Sequence, residues 1–320
     1  MIVHRAKNLK EAIDFLSKNP QAKLLAGGTD LMPRINQKLE KHSLLCYIGG
    51  VDGLRDIKKD TDGSIVIGAL NCLADVCESG ELNAYTALKQ AASSAASPQI
   101  RNQATLGGNL MQENRCIYFN NAVFWSDVNL CFKRGGGQCF QYKNSRECVA
   151  LFQSDIAPVL MAYGAAVIIE GTDGRRELPL TALYLKAGQK SLLYNEVLTD
   201  IRLPALNKGE SSVYVRKTIR GSFDFPLVSC AVWLKEADGL IADSRVVFGA
   251  AGVMPSAPDT AKWQGKPAAK LRELAEETLG DIPKIIAPFK DTRVNGPVRK
   301  EMAKEVFRQA IEQLVQKDGR

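Results

Sequence analysis

The chain has 320 residues, of which 45% are hydrophobic and 24% are charged, and its formal net charge is +7 at pH 7. This length allows two or three domains, and no apolar run approaches the roughly 20 residues of a membrane span. Residues 1–10 lack the pattern of a secretory signal peptide, so we expect a cytoplasmic protein without a membrane partner. No basic stripe carries interleaved aromatic residues, so a nucleic acid is not an expected partner. The positive charge fits either a solvated surface or the docking of an acidic protein.

Short helices and strands are predicted in mixed order along the chain. An amphipathic helix capped by Asn8 is predicted over 8–19, and two helices broken near Gly80 are predicted over 72–96, the second ending at Pro98. The further helices predicted are 31–39, 155–163, 268–279 and 297–316. The strands predicted are 23–26, 44–48, 64–70, 165–170, 175–180, 213–218, 227–235 and 241–250, with a polar linker over 204–210. Hairpin turns without strict strand–helix alternation indicate an α+β fold.

Two glycine segments are candidate phosphate sites. Gly27-Gly28-Thr29-Asp30 lies between a predicted strand and a helix, and Thr105-Leu106-Gly107-Gly108-Asn109 follows later in the chain. Glycines allow close approach of backbone amides to an anion. Neither segment matches a G-x-G-x-x-G fingerprint or a P-loop, so a Rossmann site is not predicted. The residues alone fit two unrelated turns as well as two phosphate contacts of one dinucleotide.

Four of the eight cysteines are clustered in an irregular stretch over 112–153; they are Cys116, Cys131, Cys139 and Cys148. Neighbours in the cluster are never a C-x2-C pair, so zinc-ribbon and bacterial ferredoxin templates do not apply. Adjacent cations favour thiolates. The residues leave open a four-cysteine metal site, iron–sulfur or zinc, and reduced thiols without a ligand. The two histidines, His4 and His42, lie far from the cluster in sequence, which argues against histidine chemistry.

Four segments together resemble a known family: Leu25–Leu31, Ile67–Ala69, Arg101–Asn109 and Ser154–Pro158. They resemble the FAD-binding medium subunit of molybdenum hydroxylases, the group of xanthine dehydrogenase and carbon monoxide dehydrogenase, over nearly the whole chain. The resemblance implies an α+β, two-part FAD-binding fold with a C-terminal α+β domain and an irregular Cys-rich insert. The implied boundaries are 1–55 and 56–205 for the two FAD-binding subdomains, with an iron–sulfur insert over 112–153, and 211–320 for the C-terminal domain.

The same resemblance implies the FAD-binding residues, and it implies no catalytic residue in this chain. The pyrophosphate is expected on Leu24, Leu25, Ala26, Gly27, Gly28, Thr29, Asp30 and Leu31. A second phosphate contact is expected from Thr105, Leu106, Gly107, Gly108 and Asn109. Ala95 is expected near the flavin, Asp155 on the ribityl or ribose part, and Leu198 and Lys217 on the isoalloxazine side.

The cysteine-rich insert resembles one branch of that family, the β subunits of 4-hydroxybenzoyl-CoA reductases. The matching positions are Arg115-Cys116, Cys131, Cys139 and Arg146-Glu147-Cys148. The resemblance implies a 4Fe–4S cluster on the four cysteines. It implies electron flow from a ferredoxin-like donor through 4Fe–4S, FAD and two 2Fe–2S clusters to molybdenum, in anaerobic degradation of aromatic compounds. The implied partners are a large molybdenum-cofactor subunit and a small 2Fe–2S subunit, in a heterotrimer that dimerises.

Two alternatives remain beside this interpretation. The chain can be the FAD subunit of another molybdenum hydroxylase that oxidises a heterocycle or an aldehyde, or a zinc-stabilised binding module without a redox role. If a ferredoxin docks at the insert, we expect Lys133, Arg134 and Lys143 to attract it.

Overall fold

The computed structural model describes residues 1–120, 130–287 and 293–317. Positions 121–129 of the predicted insert therefore lie outside the described residues. The strands are β1 (Ile2–Arg5), β2 (Lys23–Leu25), β3 (Leu44–Tyr47), β4 (Ile57–Lys59), β5 (Ile65–Gly68), β6 (Ala166–Gly171), β7 (Gly174–Pro179), β8 (Tyr184–Lys186), β9 (Gln189–Lys190), β10 (Val197–Leu203), β11 (Glu210–Lys217), β12 (Val228–Ala237) and β13 (Leu240–Gly249). The helices are α1 (Leu9–Lys18), α2 (Leu31–Asn36), α3 (Leu73–Glu78), α4 (Thr86–Ser94), α5 (Pro98–Arg101), α6 (Leu106–Met111), α7 (Ile117–Asn120), α8 (Ile156–Tyr163), α9 (Leu271–Thr278), α10 (Ile282–Ile285) and α11 (Gly296–Lys317).

A small parallel sheet of order β1-β3-β2 forms at the N-terminus. Helix α1 covers it, and its cap is the predicted one, because the side chain of Asn8 accepts a hydrogen bond from the Glu11 amide at 2.9 Å. Its apolar side buries Ala12, Ile13 and Leu16. The first glycine segment follows the C-terminal end of β2 and leads directly into α2.

An antiparallel sheet of order β4-β5-β10-β6-β7 forms the second layer. Helices α3, α4, α6 and α8 contribute to its hydrophobic core, together with β5, β6 and β10. The break predicted near Gly80 is confirmed, since α3 ends at Glu78 and α4 begins at Thr86. The expected end at Pro98 is wrong: α4 already ends at Ser94, and Pro98 begins α5 behind the cap Ser97. Proline lacks an amide hydrogen, which is no loss in the first turn of a helix.

The third sheet is an antiparallel meander of order β11-β12-β13 with a core on each face. Along β12, Cys230, Val232 and Leu234 join the core that includes α9 and α11, whereas Ala231 and Trp233 join the core of the second sheet. Successive side chains of a strand point to opposite faces, so one strand serves both cores. The predicted α+β class is therefore confirmed. No helix in the described residues is both long and apolar enough to cross a membrane.

Candidate functional site

A cavity of about 580 Å³ opens between the first sheet and α6. It brings together two segments that are far apart in sequence, the first glycine segment and the start of α6. Of the predicted cofactor residues, its lining includes Leu24, Leu25, Ala26, Gly27, Gly28, Thr29, Asp30, Leu31, Thr105, Gly107, Gly108 and Leu198. Such a volume lies within the range of clefts that bind cofactors.

The first glycine segment has a backbone that requires glycine. Gly28 has a positive φ of 74°, and a Cβ on Gly27 would overlap the carbonyl oxygen of Gln103. The side chain of Gln103 donates in return to the Gly27 carbonyl at 3.2 Å. The first glycine segment therefore packs closely against Gln103, which lies two residues before the second predicted phosphate segment.

The amides of the first glycine segment are available for a ligand. Within the described residues, the backbone N–H groups of Gly27, Gly28, Thr29 and Asp30 donate no hydrogen bond to the protein. All four residues line the cavity. Consecutive free amides at a glycine-containing turn form a concave site for an anion such as a phosphate.

Asp30 ties this segment to the chain that enters the cysteine-rich insert. Its carboxylate accepts hydrogen bonds from Arg34 at 3.0 Å, from Arg115 at 2.9 Å and from the Glu113 amide at 3.0 Å. Arg34 also pairs with Glu40, and His42 contacts Glu40 at 2.9 Å. His42 lines the cavity, although it lies far from the cysteine cluster in sequence.

The second glycine segment uses its amides within the protein. Thr105 caps α6 by accepting from the Gly108 amide at 3.1 Å, and the Gly107 amide donates to the Ala69 carbonyl at 2.8 Å. A Cβ on Gly107 would lie 2.8 Å from the Cβ of Ala69. The glycines thus allow α6 to pack closely on residues 69–71, and the predicted phosphate contact of this segment stays a prediction.

Five other predicted FAD residues lie outside the cavity lining. Leu106 is buried in the core, and Asn109 accepts a hydrogen bond from Ser154 at 2.6 Å. Ala95 is buried at the end of α4, and Lys217 is exposed at the end of β11.

Asp155, the fifth of these residues, is buried at the start of α8. It accepts hydrogen bonds from Tyr214 at 2.5 Å and from Arg216 at 3.0 Å. Burial raises the pKa of Asp155, and Arg216 opposes that rise. Its expected contact with the ribityl or ribose part stays a prediction.

Lys190 is a cavity residue that the sequence did not indicate. Its Nζ donates to the Gln112 carbonyl at 2.8 Å, and burial lowers the pKa of Lys190 to about 8. Lys190 lies on the short strand β9 and belongs to no sequence motif, so no sequence signal identifies it. Its place at the wall offers a cation to an anionic ligand.

A second, smaller cavity is lined by all four clustered cysteines: Cys116, Cys131, Cys139 and Cys148. Their chain folds tightly, since Gly135 has a φ of 85° and a Cβ on Gly136 would overlap the Leu130 carbonyl oxygen. The Gly136 amide donates to the Cys131 carbonyl at 2.9 Å, and the Ala150 amide lies 3.5 Å from the Sγ of Cys148. The structure thus gathers four thiols that the sequence spreads over the insert.

Cys139 is buried, the other three cysteines of the cluster are partly exposed, and the thiols influence one another. Burial raises the pKa of Cys116 to about 11, and the neighbouring Cys148 and Cys139 raise it further. A thiol whose pKa is raised in this way becomes a thiolate when a metal centre supplies compensating charge. Among the residues that the structure describes, no group of three or more His, Cys, Asp or Glu side chains is arranged to hold a metal ion.

Lys133 lies between the two cavities and not on the surface. Its side chain is only 11% exposed, and its Nζ pairs with Glu113 at 2.5 Å. Lys133 is therefore poorly placed to attract an acidic partner, because its ammonium group is largely enclosed and pairs with Glu113. Lys143 and Arg146 of the insert are exposed.

Comparison with known proteins connects this geometry to a family. The family model described as "FAD binding domain in molybdopterin dehydrogenase" matches residues 1–206. The xanthine dehydrogenase FAD-binding subunit of Escherichia coli O157:H7 is 27% identical over 322 residues, covering 99% of this chain and 96% of that protein. The aldehyde oxidoreductase FAD-binding subunit PaoB of Escherichia coli K12 is 30% identical over 270 residues, covering 78% of this chain and 81% of that protein.

Among solved structures, a chain of carbon monoxide dehydrogenase from Hydrogenophaga pseudoflava has the same fold. Its TM-score is 0.80 with 24% identity, and the match covers 98% of each chain.

Proposed function

Because this chain belongs to the family of FAD binding domains in molybdopterin dehydrogenases, we propose that the 580 Å³ cavity is its FAD site. In this proposal the chain passes electrons to a partner subunit. The chain is thus an FAD-binding subunit of a molybdenum hydroxylase family enzyme. The observation that carries the assignment of the cavity is the run of free amides over 27–30 at its wall. FAD, when bound, supplies the redox chemistry, whereas the protein binds and orients it.

In this proposal the residues of the cavity have separate tasks. The amides of 27–30 hold the pyrophosphate, and Lys190 adds a positive charge to the wall. Asp30 fixes the segment through Arg34 and Arg115. Leu198 supplies an apolar surface for the flavin part. The contacts proposed for Ala95, Thr105, Leu106, Gly107, Gly108, Asn109, Asp155 and Lys217 rest on the family resemblance.

We further propose that the second cavity holds a 4Fe–4S cluster. Its support is the shared lining by four thiols and the Ala150 amide beside the Sγ of Cys148, since hydrogen bonds to sulfur tune such clusters. A cluster contains an iron–sulfide core, so its thiolates stand further apart than the ligands of one ion. A zinc ion requires Zn–S distances of about 2.3 Å, and the described residues offer no arrangement for a single ion.

The experiment for both cofactors is the content of iron, acid-labile sulfide and flavin per chain, measured on protein purified without oxygen. We expect about four iron, about four sulfide and one FAD. Cys131→Ser should lose iron and keep FAD. Cys77→Ser is the matched control, because Cys77 lies in α3 away from the cysteine cavity. Full FAD without iron would overturn the cluster proposal and leave the flavin proposal intact.

We propose 4-hydroxybenzoyl-CoA reductase as the holoenzyme. Reduced ferredoxin would deliver electrons at the insert, and molybdenum in a large subunit would receive them through a small 2Fe–2S subunit. The support is the cysteine insert and its exposed Lys143 and Arg146. These partners would work together in the cytoplasm.

Charge reversal at Lys143 and Arg146 tests this docking in the assembled complex. Reduction by ferredoxin should slow at low salt and recover toward the native rate at high salt, as expected for electrostatic steering. Unchanged rates at low salt would contradict docking at this face.

A second candidate is the FAD subunit of a molybdenum hydroxylase that oxidises its substrate. Two relatives, named for xanthine dehydrogenase and aldehyde oxidoreductase, favour it. Reduction of the assembled complex by a purine or an aldehyde, and not by reduced ferredoxin, would support this candidate. A zinc-stabilised binding module is distinguished by absorption, since zinc is colourless whereas flavin and iron–sulfur clusters absorb visible light.

A further inference from the structure

One short segment forms part of both cavities. Gln112 and Glu113 line the larger cavity, whereas Cys116 lines the cysteine cavity. The segment is held on the glycine side by the hydrogen bond from the Glu113 amide to Asp30. Backbone hydrogen bonds between Arg115 and Leu151, at 2.8 and 3.0 Å, hold it on the other side. The wall between the two cavities is therefore thin and fixed.

An ion pair crosses this wall. The Nζ of Lys133, which lines the cysteine cavity, lies 2.5 Å from Oε1 of Glu113, which lines the larger cavity. Lys133 also donates to the Asn114 carbonyl at 3.0 Å and lies 5.0 Å from the ring centroid of Phe119. The Asn114 amide donates to the same Glu113 oxygen at 2.8 Å. Both charged groups are thus held in one geometry.

The charges of this pair are poorly screened. The side chains of Lys133 and Glu113 are only 11% and 23% exposed. Inside a protein the effective dielectric constant is far below that of water, so each charge acts strongly on groups a few ångströms away. Each cavity therefore experiences mainly the charge that lines it, positive at the thiols and negative at the larger cavity.

We propose that the Lys133–Glu113 pair is a positioning element that sets the relative reduction potentials of the groups held in the two cavities. This inference rests on the proposed function. A positive charge beside the thiolates stabilises the added electron of a reduced cluster and raises its potential. A negative charge beside the flavin destabilises the reduced flavin and lowers its potential. The pair thereby reduces the difference in reduction potential between a low-potential cluster and the flavin, which favours electron transfer in both directions.

The test is a potentiometric titration of the assembled protein. Electron paramagnetic resonance monitors the cluster, and visible absorption monitors the flavin. Lys133→Gln should lower the cluster potential, with roughly a tenfold change in the reduced-to-oxidised ratio at a fixed applied potential. Glu113→Gln should raise the flavin potential, with a similar change in the reduced-to-oxidised ratio of the flavin. The double variant has the native net charge. Its shift in cluster potential should be smaller than that of Lys133→Gln, and its shift in flavin potential should be smaller than that of Glu113→Gln.

Two controls separate electrostatics from structural damage. Lys143→Gln removes the same charge from an exposed position of the insert and should leave both potentials unchanged, because solvent screens it. Lys133→Arg keeps the charge and should preserve the cluster potential. If Lys133→Gln loses its iron, Glu113→Gln still tests the proposal through the flavin.

The outcomes distinguish this inference from the proposed function. Native protein with both cofactors, together with unshifted potentials in both single variants, would overturn the inference and leave the proposed function standing. Shifts of equal size in Lys143→Gln would also overturn it. Native protein that binds FAD but no iron would overturn the cluster proposal, and this inference with it.

Discussion

At Gly27, close packing and the proposed binding of FAD both depend on the absence of a Cβ atom. It lies against the Gln103 carbonyl, and its amide is one of four that are free at the cavity. We predict that Gly27→Ala weakens FAD binding at least tenfold, because the added Cβ forces the two segments apart. The dissociation constant can be measured from the quenching of flavin fluorescence. Gly50→Ala is the control, since a Cβ there meets nothing within 4 Å; equal affinities of the two variants would contradict the prediction.

We predict that Lys190 makes FAD binding depend on pH. The pKa of about 8 means that the side chain loses its positive charge as pH rises through that value. An anionic ligand favours the protonated form and raises this pKa, so affinity is highest below about pH 8 and falls above it. Asp30, Arg34, Glu113 and Lys133 are the other charged groups that act on Lys190.

The prediction for Lys190 is tested by titrating FAD at about pH 7 and about pH 9.5. The affinity of the native protein should fall by up to tenfold per pH unit above the pKa, because one proton is coupled to binding. Lys190→Met should bind more weakly at the lower pH and show a flatter profile. Lys186→Met, at an exposed position of β8, should keep the native profile. A native profile that is already flat would contradict a role for this ammonium.

At the scale of the element, α6 depends on its cap. Thr105 satisfies the Gly108 amide in a short helix whose two glycines weaken its intrinsic stability. We predict that Thr105→Val lowers the free energy of unfolding by about 1 kcal/mol. Thr105→Ser keeps the hydroxyl and should retain most of it. Urea unfolding without FAD provides the measurement, and equal losses in both variants would show that the methyl group, not the cap, matters.

At the scale of the whole molecule, a buried polar cluster joins α8 to the third sheet. Tyr214 of β11 donates to Asp155, and Tyr163 of α8 contacts Ser212 at 2.5 Å. We predict that Tyr214→Phe costs about 2 kcal/mol of unfolding free energy, because it removes a hydrogen bond to a buried carboxyl group. Tyr194→Phe, at a residue that is 55% exposed, should cost little. A comparable loss in both variants on urea unfolding would contradict this role.

This cluster and the double-faced strand β12 link the parts of the chain that the resemblance separates. Ala231 and Trp233 of the C-terminal sheet belong to the same core as α4 and α8. The boundaries 1–55, 56–205 and 211–320 remain a prediction, because the described contacts test no independent folding of the parts. Separate expression of 211–320 would expose this apolar face.

Local patterns determined the elements that the sequence predicted. The cap at Asn8, the break near Gly80 and the strand over 227–235 depend on neighbours within a few residues, so the sequence alone can predict them. The strand β1 was missed because it is short and largely exposed, with its apolar residues Ile2 and Val3 at 70% and 42% exposure. Its identity depends on pairing with β3, which is remote in sequence.

The sequence by itself indicated the family, through the four segments Leu25–Leu31, Ile67–Ala69, Arg101–Asn109 and Ser154–Pro158, and the family model that matches residues 1–206 confirms it. Only the tertiary structure decided that the amides of 27–30 are free while those of Gly107 and Gly108 are used internally. It also placed His42 and Lys190 at the cavity and Lys133 between the two cavities. The reason is physical: a motif records which groups are present, whereas their free hydrogen bonds, burial and charge partners depend on segments brought together by folding.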